Sequence, residues 1–148
     1  MAIKSNEEVI VIESRLYGRM EVPKRQIYRF DRGIVGIAEH RQYAIIGVED
    51  SAFFTMHAID GSLCFHLISA SVVAQDYQFV IDEETVKLLQ AESAESIAVF
   101  LIVNAIDDRL YVNLKAPILI APENLTGCQY IISDKDYPIR FPLESEET

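Results

Sequence analysis

Tryptophan is absent from these 148 residues, cysteine occurs twice, and lysine and arginine number 13 against 23 aspartates and glutamates. Each shortage excludes something. A net charge of −10 repels a phosphate backbone, so direct nucleic-acid binding is not expected. Cys64 and Cys128 both sit in apolar runs and read as reduced core residues rather than a disulfide staple. The longest uncharged apolar run, 97–106, has ten residues, about half of the ~20 that a membrane-spanning helix needs. Met1-Ala2-Ile3-Lys4-Ser5-Asn6 lacks the apolar run and cleavage site of a signal peptide, so a soluble, cytoplasmic protein with no membrane partner is expected. No glycine-rich phosphate loop is present.

What remains is apolar and strand-like. Half the residues are apolar, enough to give one domain of this length a core. Short runs rich in β-branched and aromatic residues alternate with turn residues, the pattern of an antiparallel sandwich or barrel. The runs predict strands over 9–13, 16–22, 27–30, 43–48, 53–59, 63–69, 77–81, 97–103, 109–114, 118–121, 128–133 and 139–143. Ile59-Asp60-Gly61-Ser62 reads as a two-residue type I′ hairpin turn. That register puts Phe54, Met56 and Ala58 on one face with Leu63, Phe65 and Leu67, and this face is expected to be core. One helix, over 82–92, is expected to begin on an Asp82 cap, with Glu83 and Glu84 at the positive end of its dipole. It is expected to plug an open end or edge of the sheet. One domain, 1–143, and a loose acidic tail, 144–148, complete the organisation.

Charge is unevenly spread. The stretch 14–41 holds seven basic and three acidic residues, whereas the chain from Gln42 onward holds five basic and seventeen acidic. Such a surface favours encounter with a basic partner. Catalytic constellations are harder to find. The hairpin register places His57, Cys64 and His66 on the face opposite the core, but no fourth ligand or nearby carboxylate for a metal is evident there, and no loop suggests an oxyanion hole. Asp107-Asp108 and Glu83-Glu84 read as a turn and a helix start, and Gly33 and Gly36 as turn glycines. Neither a catalytic residue, a metal nor a cofactor is predicted.

Several fragments carry a resemblance. Phe30-Asp31-Arg32-Gly33-Ile34-Val35-Gly36-Ile37, Phe53-Phe54 followed by Leu63-Cys64-Phe65, Asp76-Tyr77, and Val112-Asn113-Leu114-Lys115-Ala116-Pro117-Ile118-Leu119-Ile120 occur in that order. Gln129-Tyr130-Ile131-Ile132 and Tyr137-Pro138-Ile139-Arg140 close the series. Together they resemble the flagellar assembly factor family FliW over nearly the whole chain. Departures fall at Ile37, where an aromatic is usual, at Met56-His57-Ala58, at Ala121 and at Cys128.

The resemblance implies a single β-barrel-like domain without catalysis. It also implies that the protein binds the translational repressor CsrA, relieving repression of flagellin synthesis, and that it binds flagellin. The expected partner surface comprises Asp76, Tyr77, Glu83 and Glu84, with Asn113 and Pro117 as further candidates. Two rival readings stay open. A split barrel binding flavin would use the basic stretch 25–32 for phosphate, and an export chaperone would hold flagellin without acting on translation.

Overall fold

The computed structural model describes residues 7–73 and 76–143, so the tail expected at 144–148 lies outside the described residues. In chain order the strands are β1 Val9–Ser14, β2 Gly18–Pro23, β3 Ile27–Arg29, β4 Gln42–Gly47, β5 Phe53–Ala58 and β6 Cys64–Ser69. After two short helices, α1 Ala70–Val73 and α2 Glu83–Leu88, come β7 Ala98–Ile106, β8 Arg109–Val112, β9 Ile118–Ala121, β10 Thr126–Gln129 and β11 Phe141–Pro142.

Among the described residues, β3 to β7 form an antiparallel meander, and β7 also pairs with β9. β9 pairs with β10, and β10 returns to β3, closing a seven-stranded barrel. The β10–β3 seam is parallel and short: Thr126 stands opposite Arg29, backed by the Arg29 N–H donating to the Leu125 carbonyl at 2.8 Å. Long β7 serves both β9, through Ala98 to Phe100, and β8, through Val103 to Ile106. Period-two side chains fill the interior. Phe30, Tyr43, Ile45, Met56, Ala58, Leu67, Ile102, Ile118 and Ile120 form one buried cluster, with Phe54, Leu63 and Phe65 packed on it, so the expected core face is the core face. Each fully buried leucine or isoleucine there stabilises the fold by roughly 1.5–3 kcal/mol.

The outer faces are also covered. The β1–β2 hairpin lays Ile12 and Val22 on the outward-facing Ile27 and Ala44. Helix α2 lies on the outer face of β9 and β10 rather than at the open end or edge of the sheet that was expected. Its Val86 and Leu88, with Leu89 just beyond, pack on Leu119, Ala121 and Cys128, the outward residues of β9 and β10. The Asp82 carboxylate caps it, accepting the Thr85 N–H at 2.8 Å. The helix is shorter than expected, because Gln90 takes a φ of +58° and turns the chain. There the Asn124 amide and the Thr126 hydroxyl donate to the last carbonyls, Thr126 to Leu89 at 2.6 Å.

Two turns differ from expectation. The β5–β6 register is as expected, His57 opposite Cys64, but the turn is not type I′. Only Gly61 has a positive φ, +80°, and its N–H donates to Ala58. Asp60 instead accepts from the Ser62 N–H and hydroxyl at 2.9 and 2.6 Å. The turn with two consecutive left-handed residues is the β7–β8 one, where Asp107 and Asp108 have φ of +51° and +66°.

The strand expected over 77–81 is absent, and the one over 128–133 is assigned only to Gln129. The second difference has a clear cause. The Tyr130 N–H donates to the Pro117 carbonyl at 2.9 Å and the Ile132 N–H to the Lys115 carbonyl at 2.8 Å, continuing the β9–β10 register. The reciprocal bonds cannot form. Proline has no N–H, and the Lys115 N–H is taken by the Asn113 side chain at 3.0 Å.

Candidate functional site

Residues 77–81 alternate half-buried and exposed like a strand, with Tyr77, Phe79 and Ile81 inward, yet among the described residues no strand lies against them. Tyrosine hydroxyls take the ladder's place. The Tyr137 hydroxyl donates to the Gln78 carbonyl at 2.9 Å and accepts the Gln78 N–H at 3.0 Å. The Tyr130 hydroxyl does the same one step on, donating to Val80 at 2.9 Å and accepting from Asp82 at 3.3 Å. The Tyr77 hydroxyl donates to the Leu114 carbonyl at 2.6 Å, and burial raises its pKa well above the ordinary tyrosine value, so it stays a donor. Its ring packs against Phe79 and Tyr137, centroids 5.3 and 4.8 Å away.

Between this segment, α1 and the start of β7 lies an open cavity of about 580 Å³, lined by Ser69, Ala70, Ser71, Tyr77, Phe79, Ala98 and Val99. Acidic residues flank the segment in sequence. Asp76 is exposed ahead of Tyr77, and Asp82, Glu83 and Glu84 follow Ile81. The Asp82 carboxyl is held below its ordinary value by its hydrogen bonds from Thr85, with Arg32 contributing. Glu84 pairs with Arg32 at 3.0 Å, both exposed, a contact worth about 0–1 kcal/mol.

The six residues expected at a partner surface thus separate. Asp76 stands exposed before the segment 77–81 and Glu83 and Glu84 stand exposed after it, while Tyr77 is half-buried. Asn113 and Pro117 stand apart as shapers of the chain: Asn113 Oδ1 accepts the N–H groups of Lys115 and Ala116, and buried Pro117 leads into β9. Tyr130 and Tyr137, which build the surface, were not singled out in the sequence. Both lie in fragments that carried the resemblance, but nothing local shows that their hydroxyls reach a segment 50 and 59 residues earlier.

Chemistry elsewhere is dispersed. His57 is buried, its Nε2 2.9 Å from Thr55 Oγ1 and 3.9 Å from Cys64 Sγ, and the Tyr17 ring covers it edge-on at 5.7 Å. Burial, aided by His66, lowers the His57 pKa, and burial raises that of the Cys64 thiol, so both shift away from a reactive ion pair. Burial also pushes the Cys128 thiol up to about 11. Among the described residues no group of three or more His, Cys, Asp or Glu could hold a metal. In the basic stretch, Arg25 pairs with Glu7 at 2.7 Å, Arg29 with Asp31 at 2.8 Å and Arg32 with Glu84, so these cations point at carboxylates rather than converge on a phosphate. No helix among the described residues is long and apolar enough to cross a membrane.

These features define a small closed barrel with dispersed reactive groups and an apolar groove next to a segment flanked by acidic residues. Comparison with known proteins agrees on the class and narrows it. The family model described as "FliW protein" matches residues 11–143, and the chain belongs to the FliW family of flagellar assembly factors. It is 34% identical to the flagellar assembly factor FliW of Caldicellulosiruptor saccharolyticus over 136 residues, covering 90% of each chain. It is 28% identical to that of Bacillus subtilis, covering 93% of this chain and 99% of the relative. A crystal structure of the flagellar assembly factor FliW superposes with a TM-score of 0.84 at 27% identity, covering 93% of this chain and 99% of the other.

Proposed function

We propose that this chain binds the translational repressor CsrA and so frees the flagellin message, and that flagellin competes for the same protein. The observation that carries the reading is family membership over residues 11–143. The charge supports it: between Arg41 and Arg109 the only lysine or arginine is Lys87, and with Arg32 paired to Glu84 the carboxylates of Asp76, Asp82 and Glu83 are left to attract a repressor whose RNA site is basic. A docked body of net charge −10 also raises the cost of RNA sharing the space. Asp76, Tyr77, Glu83 and Glu84 are the proposed contact residues, while Asn113 and Pro117 hold the loop behind them.

Calorimetric titration with purified CsrA, at low and at physiological salt, tests the reading. Saturable binding that weakens with salt is expected. No heat and no co-elution in either buffer would overturn it. A capture experiment without RNA and without flagellin separates a regulator from a flagellin chaperone, because only the regulator retains CsrA.

A further inference from the structure

The segment 77–81 has one satisfied edge and one open edge. Successive residues of an extended chain direct their N–H and C=O groups to opposite edges. Gln78 points both its N–H and its C=O at the Tyr137 hydroxyl, and the Val80 carbonyl and the Asp82 N–H point at the Tyr130 hydroxyl. Phe79 and Ile81 therefore point theirs the other way, and their N–H and C=O groups have no hydrogen-bond partner among the described residues. Two half-buried residues with unpaired backbone groups form the kind of edge that a further strand completes.

The opposite wall is open as well. β6 pairs with β7 only as far as Ser69 opposite Phe100, after which the chain turns into α1. Among the described residues the β6-facing edge of Ala98 and Val99 has no strand, and both residues line the 580 Å³ cavity with Tyr77 and Phe79. The polar side chains of the lining are the Ser69 and Ser71 hydroxyls, 3.1 Å apart and bonded to each other, and the Tyr77 hydroxyl already spent on Leu114. A small polar ligand finds little there to orient it. Exposed Val72 and Val80, at 58% and 68% of their surface, extend the apolar character beyond the cavity.

The charge around the groove chooses its occupant. Asp76 stands at one end of the segment and Asp82, Glu83 and Glu84 at the other, and Glu95 precedes β7. We propose that the groove between α1 and residues 77–81 takes an extended apolar segment of a protein partner, flanked by lysine or arginine, as an added β-strand paired to Phe79 and Ile81. Backbone pairing supplies the register, the Tyr77–Phe79 side takes alternate apolar side chains, and the carboxylates hold the basic flanks. The proposal rests on the protein-binding reading above and specifies how that binding is made.

Hydrogen exchange measured residue by residue on the whole protein, free and with saturating purified CsrA or purified monomeric flagellin, tests it without any substitution. The Phe79 and Ile81 amides should slow at least tenfold in one of the two complexes, while the Gln78 amide, already bonded, changes little. Ser71→Arg, at an exposed position, puts bulk and positive charge into the groove and should weaken that same partner at least tenfold. If wild type binds a partner but neither the amides nor the Ser71→Arg affinity responds, strand addition here is wrong and the binding reading survives. Weakened binding without amide protection likewise overturns strand pairing. If wild type binds neither protein, the functional reading falls and this inference with it.

Discussion

Gly127 in β10 does not need glycine's backbone freedom; it needs glycine's lack of volume. A Cβ built there would lie 2.5 and 2.7 Å from two atoms of the Phe30 ring and 3.0 Å from the Ile120 side chain. Phe30 is fully buried and meets Tyr43 edge-on, ring centroids 5.3 Å apart, so the ring cannot simply swing aside. To restore ordinary contact it must retreat by roughly 1 Å, and overpacking of that kind costs about 1–3 kcal/mol. Gly127→Ala should therefore lower Tm by roughly 2–12 °C for a domain of this size. Phe30→Leu alone leaves a cavity and costs about 1–3 kcal/mol. The pair should be less damaging than the sum, by about 1 kcal/mol or more, because the missing ring is what the methyl collides with. Urea unfolding of the four proteins, with the m-value checked for constancy, gives the coupling. A neutral Gly127→Ala, or two costs that add within about 0.5 kcal/mol, would refute the claim that ring and glycine share one space.

Two further predictions concern the layer under the N-terminal hairpin. His57 is held neutral by burial, with His66 adding to the effect, so its folded pKa lies below the unfolded value of about 6.5. The unfolded chain then binds the extra proton first, and stability falls as pH drops below about 6.5 toward the folded pKa, by up to ~1.4 kcal/mol per pH unit. Denaturant titrations from pH 7.5 to 5 should show that slope, and His57→Gln should flatten it; an unchanged slope would locate the effect elsewhere. Gly61→Ala forces a side chain into φ +80° and onto the Glu13 carbonyl oxygen of β1, costing about 1–3 kcal/mol for the backbone alone. The displaced hairpin should uncover Cys64 to a thiol reagent while Cys128 stays slow, and identical labelling rates in variant and wild type would count against that packing.

Much of the barrel was legible because its residues speak locally. Alternation in 53–58 and 64–69 names the inward face without knowledge of what lies across the core, and Asp82 with Glu83 and Glu84 marks a helix start within four residues. Residues 77–81 show where that stops. Their pattern is a strand's, but whether a neighbouring backbone or a pair of tyrosine hydroxyls satisfies them depends on groups far along the chain. The type I′ turn was likewise assigned to Asp60-Gly61, where glycine advertises it, while Asp107-Asp108 adopts it without glycine because the β7–β8 ladder imposes the geometry. At the candidate surface the carboxylates were readable as charge. The groove was not, since it exists only where β6 ends one residue before α1 begins and leaves β7 uncovered.

The β10–β3 seam sets a timetable for synthesis. β3 must wait for a partner that the ribosome makes about a hundred residues later, and β6 ends at Ser69 while β10 ends only at Gln129. At the usual elongation rates of about 5–20 residues per second, translating that interval takes roughly 3–12 s. Early in it the β3–β6 meander carries Ile45, Met56 and Leu67 on a face with nothing yet to cover it, and even after β7 and β9 bring Ile102, Ile118 and Ile120 the barrel stays open until β10 is made. The nascent chain is thus most exposed to self-association midway through its own translation, and a slow-codon run placed between the codons for Ser69 and Gln129 would lengthen that exposure.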